Sequence, residues 1–119
     1  MKILPICSMI VMFSFNIFTL TYAEPMTNVD EMVKAGREAI EKGEYTKAVD
    51  YLGKIMTAVG GQTNDDKIVA LGSTVQAYGL WKLNNPQMLQ MAKQYLNNAI
   101  IRDPDWKFPE KLLKEVENK

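Results

Sequence analysis

The chain has no histidine and only one cysteine, Cys7, in 119 residues. Without imidazole there is no histidine triad, no histidine proton shuttle and no histidine metal site. Cys7 lies early in the first apolar stretch, so thiolate catalysis, zinc–cysteine ligation and disulfide bonding are excluded from the rest of the chain. Serine is almost as scarce. Beyond residue 23 only Ser73 remains. It sits inside a helical pattern with no base to activate it. Gly60-Gly61 lacks the spacing and the lysine of a phosphate-binding loop. Charge of one sign is missing too: 14 Lys and Arg balance 14 Asp and Glu. Such a balance gives no electrostatic footprint for nucleic acid or an anionic membrane. No segment alternates apolar and polar residues in the manner of a half-buried strand.

Carboxylates are what is left for chemistry. Glu41 and Glu44 flank a turn, while Asp65-Asp66 and Asp103/Asp105 flank helix ends. Paired acids serve glycoside hydrolysis when their environments split their pKa values. Each pair here sits where helix-end electrostatics already accounts for it. Neither aspartate pair has the oxygen ladder and closing glutamate of a calcium loop. The expectation is a protein that is not an enzyme and takes no cofactor and no metal.

The first 23 residues read as a targeting segment. Lys2 supplies a basic start, Ile3–Leu20 an apolar run, and Thr21 and Ala23 the small residues ahead of a cleavage point. Cys7 is too early in that run to become a lipidated N-terminus. The alternative is an uncleaved anchor, since a span needs about 20 predominantly apolar residues. Ile3–Tyr22 reaches that length only by including Pro5, Ser8, Ser14, Asn16, Thr19 and Thr21. Residues 24–119 then form one small domain, expected in a bacterial periplasm or secreted, with any membrane contact confined to the leader. Lacking cysteine, that domain relies on helix packing, with self-association as a further source of stability.

Apolar residues in this domain recur at three and four. A first helix is predicted from Val29 to Lys42, capped by Thr27 or Asn28 and ended by Gly43, with Met32, Ala35, Gly36 and Ala39 as its packing stripe. A second runs from Glu44 to Val59 with Tyr45, Ala48, Val49, Leu52, Ile55 and Met56 inward, and Gly60-Gly61 stops it. The one-glycine link makes these two an antiparallel hairpin. A third helix spans Asp65–Leu83, with Asn64 as cap and Ile68, Leu71, Val75, Tyr78 and Trp81 or Lys82 at helical spacing. Asn84-Asn85-Pro86 reads as stop, cap and first-turn proline. The fourth helix, Pro86–Arg102, turns Met88, Ala92, Tyr95, Leu96, Ala99 and Ile100 inward. A short last helix, Pro109–Asn118, offers Leu112, Leu113 and Val116. The fold class is all-α.

The two hairpins share a pattern. Ala48, Leu52 and Ile55 in the first, led by Gly43 and Tyr45, correspond to Ala92, Leu96 and Ala99 in the second, closed by Pro104: a small residue, a large one four later, an apolar one three beyond. Alanine lets the paired helix approach and the larger residue fills the space beside it. In these residues the chain resembles the tetratricopeptide repeat family, whose second helix carries Gly-x-Tyr-x-x-Ala and a late proline. Gly36 falls at that family's small first-helix position. Gly60 replaces the first repeat's proline, and the 44 residues from Ala48 to Ala92 exceed the family's roughly 34. The excess lies in the Gly60–Asn64 loop and a lengthened third helix. The alternative is a helical bundle that shares the alanine spacing without the repeat.

What the resemblance implies is a short solenoid of stacked hairpins with a C-terminal capping helix. First helices would line a concave face that binds a peptide or protein segment. By position, Val33, Arg37, Glu41, Gln76 and Lys82 would face that partner, with Arg37 suited to a planar carboxylate or carbonyl. The same positions suit an ordinary solvated face. The expected partner is another protein or a second copy of the chain, not nucleic acid. Gly72 and Gly79 lie seven apart on one helical face, which fits close helix packing or the approach of a bound segment. Trp81 and Trp106 read as core or edge residues. Met88 and Met91 suit either gap filling or an adaptable surface.

Overall fold

The computed structural model describes residues 28–118. The predicted leader, Met1–Ala23, lies outside the described residues. Five helices follow in order: α1 (Val29–Glu41), α2 (Tyr45–Ala58), α3 (Asp66–Leu83), α4 (Pro86–Arg102) and α5 (Phe108–Glu117). Among the described residues there is no strand, and the fold is all-α. The most extensive interfaces are α3–α4 and α1–α2, followed by α4–α5. The chain is therefore two antiparallel hairpins packed against each other, with α5 laid on the second.

The helix ends follow local chemistry. Asn28 caps α1, its side-chain oxygen accepting from the amides of Asp30 at 2.8 Å and Glu31 at 3.4 Å. At the other end Gly43 takes φ +80°, and Gly43 N donates to Ile40 O while Glu44 N donates to Ala39 O. That double bond pattern is a Schellman close, and it requires the left-handed backbone that glycine supplies. Gly60 and Gly61 end α2 in the same way, through bonds to Thr57 O and Met56 O. The α3 cap differs from the predicted Asn64. Asp65 does the work, accepting from Lys67 N at 2.9 Å and Ile68 N at 3.2 Å. Asn84 adopts the left-handed conformation after α3, Asn85 caps α4 through Gln87 N and Met88 N, and Pro86 opens that helix.

The core has two clusters. The first joins Met32, Val33, Ala39 and Ile40 of α1 with Ala48 and Ile55 of α2, Ile68, Ala70, Leu71 and Val75 of α3, Ala99 of α4, and Trp106. The second joins Ala77, Ala92, Leu96, Leu112 and Val116. Tyr78 and Phe108 pack against both. The paired alanines, Ala48 and Ala92, are fully buried. Helix α3 contacts all four other helices, so Ser73 and Thr74 are buried beside its apolar residues. A helix surrounded by neighbours has no polar face to contrast with its apolar one. Its predicted single stripe is therefore only part of what it buries. Of the two residues offered for the last turn, Trp81 is half-buried and Lys82 is exposed.

Two expectations for α1 need correction. Val33 is 6% exposed and belongs to the core, not to an open face. Ile40, absent from the predicted stripe, is completely buried. Both follow from α1 having two partners, α2 and α3, which widens its buried arc beyond a single stripe.

Candidate binding surfaces

Val33, Arg37 and Glu41 occur every four residues along α1 and come together beside the start of α3 and Trp106. They line a cleft of about 780 Å3 with Lys34, Lys67 and Ile68. The predicted role for Arg37 was to hold an acceptor on a partner. Its guanidinium is already engaged within the chain. Nη2 donates to Asp103 Oδ2 at 2.5 Å and to Lys67 O at 3.4 Å, and the plane lies 4.2 Å from the centre of the Trp106 ring. Trp106 in turn donates from Nε1 to Glu41 Oε2 at 2.7 Å. The side chains of Arg37 and Asp103 are 17% and 11% exposed. This cluster ties α1 to the segment after α4 across more than sixty residues of sequence. A second link, Arg102 Nε to Asp66 Oδ1 at 2.7 Å with Nη2 to Asn64 O at 3.0 Å, fastens the end of α4 to the start of α3.

Gln76 and Lys82 lie elsewhere. They line a separate groove of about 490 Å3 with Tyr45, Tyr78, Gly79, Leu80, Leu83, Met91 and Tyr95. The start of α2, the last turns of α3 and the first turns of α4 build it. Tyr45 stacks on Tyr78 with ring centroids 5.9 Å apart and planes 17° apart, and Tyr78 meets Trp81 edge-on at 5.5 Å. The Lys82 ammonium lies 4.3 Å from the Trp81 centroid and 5.4 Å from that of Tyr78. Gly79 is what lets Tyr45 into this corner: a Cβ there would stand 2.7 Å from the tyrosine oxygen. A Cβ on Gly72, one face-repeat earlier, would make only ordinary contact with Leu52, at 3.8 Å. Of the two helical glycines, Gly79 is thus the one whose missing Cβ admits an α2 side chain against α3.

The five predicted site residues therefore divide, three at the cleft and two at the groove. The sequence pattern places Tyr45, Tyr78 and Tyr95 in packing stripes, offers Met91 as gap filler or adaptable surface, and gives Leu83 no role. One signal was present: Leu83 is an apolar residue directly before the Asn84-Asn85 stop, where a helix end faces solvent.

Several of the hydroxyl and acidic side chains weighed for chemistry are engaged within the chain. Ser73 accepts a hydrogen bond from Asn98 Nδ2 at 3.0 Å. Asp65 is a helix cap, while Asp66 and Asp103 are bound to arginines. Among the described residues no group of three or more acidic, histidine or cysteine side chains is placed to hold a metal.

Comparison with protein-family models, curated proteins and solved structures gives no match. Function has to be argued from the surfaces themselves, since an all-helical fold hosts many unrelated activities.

Proposed function

We propose that this chain is an exported, non-catalytic binding module of tetratricopeptide-like build, which takes a peptide or protein segment in the aromatic groove between α2, α3 and α4. The observation that carries this reading is the concentration of exposed apolar surface. Among the described residues, five large hydrophobic side chains are notably exposed, Tyr45, Val49, Leu83, Met91 and Ile101, and three of them line this one groove. Single exposed apolar residues are ordinary, whereas clustered ones mark interaction sites. Tyrosine and methionine suit the task, tyrosine offering rigid contact area with a polar tip and methionine adapting its shape. The volume falls within the roughly 300–1,000 Å3 of ligand clefts. The α1 cleft supports the reading less well, because Arg37 is paired with Asp103 and Trp106 with Glu41 inside the chain.

Self-association is the second reading. Val49 at 42% exposure lines an open depression along α2 with Met32, Gly53, Thr57, Ala58 and the Asp50–Lys54 ion pair, a mixed surface that another hairpin could stack against.

The test is a selection from a displayed random-peptide library on residues 24–119, beside sizing by light scattering. A monomeric chain should enrich peptides rich in large apolar residues. Leu83→Asp and Met91→Asp should lose them, and Lys34→Ala, an exposed change at the α1 cleft, should keep them. A monomer that enriches nothing, or a Leu83→Asp variant that enriches the same peptides, removes the groove from consideration.

A further inference from the structure

The charges around the aromatic groove are one-sided. From Lys67 to Arg102 the sequence holds Lys67, Lys82, Lys93 and Arg102 and no acidic residue at all. That stretch is nearly the whole α3–α4 hairpin. Arg102 is neutralised by Asp66, and Lys67 lies at the far end of α3, beside the α1 cleft. Among the described residues, Lys82 is the one charged side chain that lines the groove. It is exposed and makes no ion pair among the described residues. Glu44, which directly precedes the groove residue Tyr45, faces Lys47 at 3.9 Å.

Lys82 is also held in place. An isolated surface lysine must be ordered before it can pair, which offsets most of the gain. Here the ammonium already rests over two aromatic rings, an attraction between cation and ring face that leaves its outward side open. A fixed positive charge on the edge of an apolar trough favours a partner with apolar side chains and a carboxylate beside them.

We infer that the segment seated in this groove is an apolar peptide carrying an Asp or Glu side chain next to its inserted residues, with the carboxylate paired to Lys82. This rests on the groove being the binding site. It goes beyond that reading by fixing the charge of the partner. Gln76, at the same groove, supplies an amide to the peptide main chain or to the second carboxylate oxygen.

The probe is an array of immobilised nonapeptides, acetylated and amidated so that no terminal charge intervenes. Each carries two leucines or phenylalanines and either Glu, Gln or Lys at each remaining position in turn. Wild-type residues 24–119 should retain Glu peptides about five-fold better than their Gln counterparts, the effect of one partly exposed charge pair. Lys82→Gln should erase that difference while retaining apolar peptides, and Lys82→Glu should transfer the preference to Lys peptides. Both variants change an exposed side chain, and circular dichroism checks that they remain folded. Equal retention of Glu and Gln peptides, with Leu83→Asp still abolishing both, overturns the carboxylate pairing and leaves the groove standing. Retention that survives Leu83→Asp overturns the groove and this inference with it. A chain that dimerises through the groove, so that Leu83→Asp converts it to monomer and no peptide is retained, assigns the site to a second copy and also overturns the inference.

Discussion

At the scale of single residues, what decides a position is the neighbour it meets. Gly36, Gly53 and Gly79 all lie inside helices and carry the same intrinsic helix penalty of about 1 kcal/mol relative to alanine. A Cβ on Gly53 meets nothing within 4 Å. A Cβ on Gly36 would lie 2.9 Å from a methyl of Leu71, itself completely buried. Gly53→Ala should therefore raise stability by roughly 0.5–1 kcal/mol. Gly36→Ala should lower it by about 1 kcal/mol or more, because a packed core gives Leu71 little room to move. Urea denaturation of the two variants checks the pair, and a stabilised Gly36→Ala would show that the α1–α3 contact is looser than drawn. The same dependence on neighbours limited the sequence reading. Arg37 was recognisable as a fork for a planar acceptor, but its acceptor, Asp103, is 66 positions away, and no spacing rule reaches that far. Val33 looked exposable because a stripe of one partner's width was assumed.

At the scale of elements, most of the architecture was legible. Caps and stops are short-range, so Asn28, Gly43, Gly60, Asn84, Asn85 and Pro86 announced five helix boundaries within a residue or so. The Asp65 cap was missed for Asn64 because both residue types cap well, and only the backbone geometry of the Gly60–Asn64 loop selects between neighbours. Helix α3 was the least legible in its packing, since contact with every other helix leaves no polar face to read. The groove was illegible for a related reason: it draws on three helices, and its tyrosines, Tyr45, Tyr78 and Tyr95, were each assigned to a stripe of their own helix. The α3–α4 corner offers a test at this scale. Asn85 satisfies two amides of the first turn of α4, so Asn85→Ala should cost about 1 kcal/mol. Asn84 holds φ 55°, and Asn84→Gly should be neutral or slightly stabilising in the same assay. Equal losses at both positions would mean that the corner depends on contacts other than its caps.

At the scale of the molecule, the question is why two hairpins with two core clusters should behave as one unit. Tyr78 and Phe108 touch both clusters, and the Arg37–Asp103–Trp106–Glu41 network joins α1 to the far end of α4. An ion pair this buried adds little over an apolar substitute, but losing one partner strands the other. Arg37→Met keeps the length of the side chain and leaves Asp103 without its cation, at a cost of about 3 kcal/mol. The two tryptophans make the consequence readable. Trp106 lies in the first cluster and Trp81 packs against the second, so fluorotryptophan resonances report each cluster within one intact molecule. In the wild-type chain both native signals should vanish at a single denaturant midpoint, as a cooperative small domain requires. In Arg37→Met the Trp106 signal should vanish first, because the first hairpin loses its tie while the α3–α4–α5 cluster keeps all of its contacts. If the variant is destabilised and the two signals still disappear together, Tyr78, Phe108 and the shared flank of α3 are sufficient to couple the hairpins, and the polar network sets stability without setting cooperativity.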